Sequence, residues 1–199
     1  MNRLALAAIA LAASLLPGCS LLLPPKPEPV KAILSEVPND LPHERRHAAS
    51  LLILTPETSP AYDTTRMAYS VKLYQIAYFR DNEWAETPAQ MIQPLLVQTL
   101  QRTGLFRAIL TPPETGRTDY TLRTNIVNLV QDYTVNPPVL RLAFRLQLLG
   151  ASGRLIAGRE ITVQETMRDA TPYAGVIAAN DAVGKALRIA AGFVLNSVR

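Results

Sequence analysis

The sequence predicts an α+β fold: an antiparallel β-sheet meander with two amphipathic helices packed on one face. Three observations point there. Leu140, Leu142, Phe144, Leu146 and Leu148 alternate with Arg141, Ala143, Arg145 and Gln147, the period-two pattern of a strand with one buried and one wet face. The turn "GASGR" at Gly150–Arg154 then leads into a second run over 154–167, and a glycine-bearing turn between two such runs is a hairpin signal. Two further stretches change to helical spacing, each opened by a Thr-Pro pair suited to capping.

Taken in chain order, Ala48 to Leu54 ("AASLLIL") is a short apolar run closed by Thr55-Pro56 and reads as a buried strand. Residues 66–79 read as a strand with a break or bulge, and "RDNEWAETP", Arg80 to Pro88, reads as a polar loop. A helix follows, with Thr87 as cap, Pro88 at its first position and Gln90 placed to reciprocate. Its apolar face carries Met91, Leu95, Leu96, Thr99 and Leu100, and Gly104 after Thr103 is a good stop. Pro94 conflicts with this helix, because it removes a backbone donor and should kink the helix or disturb its first turn. Strands are expected at 106–110, 119–133, 139–149 and 154–167. A second helix after Thr171-Pro172 presents Tyr173, Ile177, Val183, Leu187, Ala190 and Val194 and runs nearly to the C-terminus. Both apolar stripes read as core faces.

The first residues have a different purpose. Met1-Asn2-Arg3 precedes an apolar stretch, Leu4 to Leu16, interrupted only by Ser14. That stretch is a secretory h-region, since a membrane span needs ~20 apolar residues. It ends Leu16-Pro17-Gly18-Cys19, and Cys19 is the only cysteine of the chain. Leu at −3 and Gly at −1 to a cysteine resemble the lipobox of bacterial lipoproteins. The resemblance implies cleavage before Cys19, a thioether-linked diacylglycerol on its sulfur and an acylated amino terminus, a multi-chain and therefore stable anchor. Ser20 rather than Asp follows the cysteine, which by analogy with enteric lipoproteins favours the outer membrane, with the domain facing the periplasm of a Gram-negative bacterium. Loss of residues 1–18 removes only Arg3 and leaves 19 basic against 16 acidic residues. That mild, dispersed excess gives no footprint for nucleic acid.

Six of the sixteen prolines fall between Pro24 and Pro42, a density that disfavours helix and sheet. Residues 19–47 therefore read as the lipidated cysteine and a solvated tether, with a reach of roughly 30 Å as coil to roughly 85 Å as polyproline helix. Residues 48–199 read as one domain, consistent with the 48% hydrophobic content.

Both histidines lie at the tether's end in "PHERRH", where His43-Glu44-Arg45-Arg46-His47 matches the H-E-x-x-H pattern of zinc proteases. The context opposes zinc. Pro42 precedes the motif, the intervening residues are two arginines rather than apolar ones, and a third ligand would have to be a distant carboxylate such as Glu57. No thiol remains after lipidation, no G-x-S-x-G or phosphate loop occurs, and the carboxylates Asp81, Glu83 and Glu86 read as solvated. The expectation is a chain that is not an enzyme, with no metal and no cofactor other than the covalent lipid on Cys19. Binding fits better, because Trp84, Tyr62, Tyr69, Tyr74, Tyr78 and Phe79 cluster in one region, and aromatics in loops are enriched at interfaces. Trp84 has a blander reading as a lid on the core edge.

The run from Asp63 to Leu110 resembles the ABC-type transport auxiliary lipoprotein component family. That family includes the lipoprotein of the paraquat-inducible (Pqi-type) system and companions of MCE-domain transporters. The resemblance rests on Arg66 opening a strand, on Tyr78, and on Trp84-Ala85-Glu86-x-Pro88 leading into an amphipathic helix closed by Gly104. "DYTLRTNIVNL" from Asp119 and the Ala-rich final helix also fit. It implies a non-catalytic lipoprotein of a lipid-transporting ABC system that docks an MCE-domain protein and its permease and ATPase at the outer membrane, as a ring of identical subunits. Candidate contact residues are Tyr62, Asp63, Arg66, Arg80, Trp84 and Glu86. An accessory of outer-membrane assembly or cell-wall synthesis has the same architecture and remains the alternative.

Overall fold

A computed structural model describes residues 27–42, 48–113 and 116–198. The organising element is a 13-residue strand, β7 (Tyr120–Asp132). It pairs along its whole length with the antiparallel β8 (Val139–Gly150), which pairs in turn with β9 (Leu155–Thr166). This is the meander read from the alternation. The β8–β9 turn closes through Gly153, whose amide donates to the Gly150 carbonyl at 2.8 Å, with φ at +77°. A side chain there would be strained, which is why the turn uses glycine.

The opposite edge of β7 departs from the expected meander. Three short strands occupy it in relay, all parallel to it: β2 (Ser50–Ile53) at its start, β3 (Glu57–Thr58) at its middle and β4 (Arg66–Ser70) at its end. β6 (Ala108–Leu110) pairs parallel with β2, β5 (Ala77–Trp84) antiparallel with β4, and β1 (Val30–Ala32) parallel with β5. The nine strands thus form a mixed sheet rather than a purely antiparallel one. Parallel pairing needs a long crossover, and helix α1 (Pro88–Arg102) lies on the one between β2 and β6. Asp119 fixes the β2–β7 register, accepting from the Ser50 amide at 2.7 Å and the Ser50 hydroxyl at 2.8 Å.

The inner face of the meander is apolar: Leu122 and Ile126 of β7, Leu142, Phe144, Leu146 and Leu148 of β8, and Ile161 and Val163 of β9 are buried. Helix α2 (Pro172–Ser197) lies on β8 and β9 and also touches α1, and both helices reach β7. Its buried stripe is Ala174, Ala178, Ala182, Val183, Ala186, Leu187, Ala190 and Val194. The alanines let the helix axis approach the sheet closely. Tyr173 and Ile177, expected on that stripe, are exposed instead, because the alanines set the buried face one position away from the larger residues.

The capping box of α1 forms as expected: the Thr87 side chain accepts from the Gln90 amide, and the Gln90 side chain accepts from the Thr87 amide at 3.0 Å. Pro94 lies inside the helix on its exposed side. The Gln90 carbonyl, robbed of its donor there, is likewise on the exposed side, where water can supply the partner.

Two readings need correction. Part of the segment expected to be solvated tether, residues 30–41, is packed on the domain. Val30–Ala32 forms β1, Leu34 and Leu41 are buried, and Asn180 of α2 bonds to both the Ser35 amide (2.8 Å) and the Ile33 carbonyl (3.1 Å). Asp40 pairs with Arg188, so residues 30–41 strap the outer side of α2. Proline blocks ladder donors only where it stands, and none stands between Val30 and Val37. Likewise "RDNEW" is not a loop but the second half of β5, held between β4 and β1. Cys19 and the His43-Glu44-x-x-His47 motif lie outside the described residues. Among those described, no group of three or more His, Cys, Asp or Glu is placed to hold a metal, and no helix is long and apolar enough to cross a membrane.

Candidate interaction surface

Most of the expected contact residues come together around the β4–β5 hairpin. The pairing there is irregular: Arg66 lies opposite Glu83 and Ala68 opposite Tyr78, so five steps of β5 span two of β4. The surplus residues include Arg80 and Asp81, which point outward as a pair. The Arg80 guanidinium contacts the Asp81 carboxylate at 2.9–3.0 Å, and both side chains are exposed.

Tyr78 gathers the other members. Its hydroxyl donates to the Ala61 carbonyl at 2.8 Å, and the Arg66 guanidinium stacks 4.3 Å over its ring. Such stacking is worth about 0.5–1 kcal/mol at an exposed site. Tyr62, in the turn after β3, is half-buried, and its phenol is pushed above the ordinary value by burial first and by Tyr78 second. Asp63, Arg66 and Glu86 are exposed. Trp84 is not: only 3% of it is accessible, and it belongs to the hydrophobic core. Its amide donates to the Thr65 carbonyl at 2.7 Å, and it pairs with Ala32 of β1. Trp84 therefore lids the core edge beneath the surface rather than lining it.

The hairpin also displays apolar residues of which sequence reading named only Tyr74. Val71, Leu73, Tyr74 and Ile76 stand exposed on the β4–β5 turn, Tyr74 completely so. Together with Ala61, Tyr62, Asp132 and Thr134 the turn borders a groove of about 370 Å³. Tyr74 has φ at +64°, a conformation that costs a non-glycine residue about 1–2 kcal/mol. The Ser70 hydroxyl holds the turn, lying 2.8 Å from both the Lys72 and Gln75 carbonyls. Without Gly, Pro, Asn or Asp, "SVKLYQI" gives no turn signal and passes for strand.

Beneath the hairpin lies an ordered polar and aromatic layer. Tyr69 stacks on Phe79 with 4.4 Å between centroids, and Tyr133 meets both edge-on. Burial pushes the Tyr133 phenol up to about 12, and its hydroxyl donates to Gln131 at 2.8 Å. At Asp132, burial alone would raise the carboxyl. Hydrogen bonds from the Thr134 hydroxyl (2.6 Å) and amide (2.9 Å) and from Arg141 (2.7 Å) outweigh this and hold it below the ordinary carboxylate value.

The family model for the ABC-type transport auxiliary lipoprotein component matches residues 34–190, most of the chain. The chain belongs to that family. The match begins inside the strap on α2, so it takes in about half of the segment expected to be tether, from residue 34 onward. Solved structures agree on the fold. The Xanthomonas campestris protein XCC0632 superposes with a TM-score of 0.72 at 18% identity, covering 85% of this chain and 94% of that one. A second, uncharacterized protein gives 0.68 at 13% identity over 84% and 99%. The hypothetical protein CT253 of Chlamydia trachomatis gives 0.51 at 6% identity over 76% and 98%. No functionally curated protein matches the sequence.

Proposed function

We propose that this auxiliary lipoprotein is non-catalytic, anchored through lipid on Cys19, and docks the periplasmic MCE-domain component of a lipid-transporting ABC system at the outer membrane. The observation that carries the reading is the family match over residues 34–190, joined to a lone cysteine in a lipobox-like setting eleven positions before the first strand. The domain needs no cofactor for this work. Its docking surface is Tyr62, Asp63, Arg66, Arg80 and Glu86, with Trp84 acting only by holding the segment in place. Arg66 is its best-formed element, a guanidinium already oriented by Tyr78 and so carrying less ordering entropy into a complex.

The test is recovery of the C-terminally tagged, acylated protein from envelopes in mild detergent, with copurifying proteins identified by mass spectrometry. An MCE-domain protein together with a permease and an ATPase is the expected result. A barrel protein or cell-wall synthase without any transporter subunit would overturn the reading. Arg66→Ala is expected to lower partner recovery about fivefold or more, with the unfolding midpoint unchanged within a few degrees.

A further inference from the structure

The exposed apolar residues are not scattered over the molecule. Of the eleven large ones among the described residues, six (Val71, Leu73, Tyr74, Ile76, Val135 and Tyr173) sit at one end, which marks that end as different from the rest of the surface. Hydrogen bonds and strand register place them there. Ser70 pairs with Asp132 at the close of β4 and β7, so the 71–76 turn and the loop holding Val135 leave the sheet side by side. The Gln131 amide group reaches the Pro172 carbonyl at 3.2 Å, which sets the start of α2, and Tyr173 with it, above the same strand ends. From Met67 to Phe79 the only charged residue is Lys72.

The N-terminal segment leaves towards this end as well. β1 runs parallel to β5, with Val30 opposite Asn82. Followed backwards from Val30, the chain heads for Ala77 and the turn. Ten residues separate Val30 from Cys19, a span of at most about 34 Å as polyproline helix. The six residues from Asn82 back to Ile76 take up to about 20 Å of that. Ten residues are therefore long enough for Cys19 to lie level with the turn or beyond it.

We propose that the β4–β5 turn, Val71–Ile76, is a second membrane contact that enters the interfacial layer of the leaflet holding the Cys19 lipid. This inference rests on lipidation of Cys19. Tyr74 has the amphipathic ring suited to the headgroup level, and Lys72 can extend its ammonium to phosphate while its stem lies among the apolar neighbours. The turn is built rather than loose, since Ser70 ties both of its limbs. Two contacts fix the orientation of the domain as well as its distance from the membrane, which a lipid chain alone cannot do.

The test uses the full-length acylated protein carrying Tyr74→Cys, Val71→Cys or Leu155→Cys, each labelled with an environment-sensitive nitrobenzoxadiazole dye. Leu155 is exposed at the opposite end, beside the β8–β9 turn. The proteins are reconstituted into vesicles of phosphatidylethanolamine and phosphatidylglycerol with brominated acyl chains. Dye at positions 71 and 74 is expected to shift to the blue and to be quenched at least about threefold more strongly than at 155. Equal quenching at all three, in protein that floats with the vesicles and has the acylated mass, would overturn the proposal and leave the anchor standing. A blue shift at 74 that grows with protein concentration but resists bromolipid would overturn it in favour of a second copy covering the patch. Protein without acyl mass or flotation would remove the anchor, and the proposal with it.

Discussion

Among the described glycines, Gly175 has the least room for a side chain. A Cβ placed on it would fall 2.0 Å from the side-chain carbon of Gln131, which is 1% exposed and held by Pro172 and Tyr133. Neither side can retreat without breaking a buried hydrogen bond. Gly175→Ala is therefore expected to destabilise the domain by about 1–3 kcal/mol, read as a lower urea midpoint. Asp132 offers a second test at this scale. Its folded carboxyl sits below the ordinary 3.8, so its contribution is complete above that value and disappears as pH falls through the folded one. Asp132→Asn is expected to cost about 1–3 kcal/mol at neutral pH and to flatten the acid limb of the stability profile. Tyr133 acts at the other limb: with its phenol raised from 10.0 to about 12, its contribution is complete below pH 10 and fades as pH climbs towards 12. Denaturation midpoints across the pH range check both limbs. Trp84 shows what sequence leaves undecided here. Flanking Glu83 and Glu86 suggest exposure, while the buried position follows from pairing with Ala32, more than fifty residues upstream.

Elements were legible where their signals are local. The alternation in β8, the glycine turn into β9, and the Thr-Pro caps of both helices all act within a few residues, and each was recovered. The parallel relay along β7 was not, because β2, β3 and β4 choose their edge through contacts made across the α1 crossover. The break expected within 66–79 is the β4–β5 turn, but its place was not legible, since Tyr74 takes a left-handed conformation that sequence reserves for glycine or asparagine. Of the expected contact residues, Tyr62 is partly accessible and Asp63, Arg66, Arg80 and Glu86 are exposed, whereas the apolar character of the turn stood out only once Val71, Leu73 and Ile76 were seen on the surface. Helix α1 gives two predictions. Thr87→Ala breaks the capping box and is expected to cost about 1 kcal/mol. Pro94→Ala restores a donor to the Gln90 carbonyl and is expected to gain about 1–3 kcal/mol, seen as a higher thermal midpoint. A lower midpoint would mean that the proline's fixed backbone shapes the helix for its packing.

The whole molecule has a polarity. At one end lie the apolar turn and the start of α2, and the chain before Val30 heads that way. Towards the other end of the same hairpin lie Arg66, Glu83 and Glu86. The strap of residues 30–41 across α2 fixes the point from which the chain leaves towards Cys19, and the proposed second contact at the turn would set the charged hairpin base away from the bilayer. On the two proposals above, the membrane would meet the turn of this hairpin and the partner its Arg66-bearing base, with Tyr62 between them.

Site-specific photo-crosslinking in growing cells tests that polarity most directly, with a benzophenone amino acid in place of Arg66 in one strain and of Tyr74 in another. We expect the probe at 66 to capture an MCE-domain subunit and the probe at 74 to capture phospholipid. Protein captured from 74, or no transporter subunit captured from 66, would contradict the assignment of the two ends.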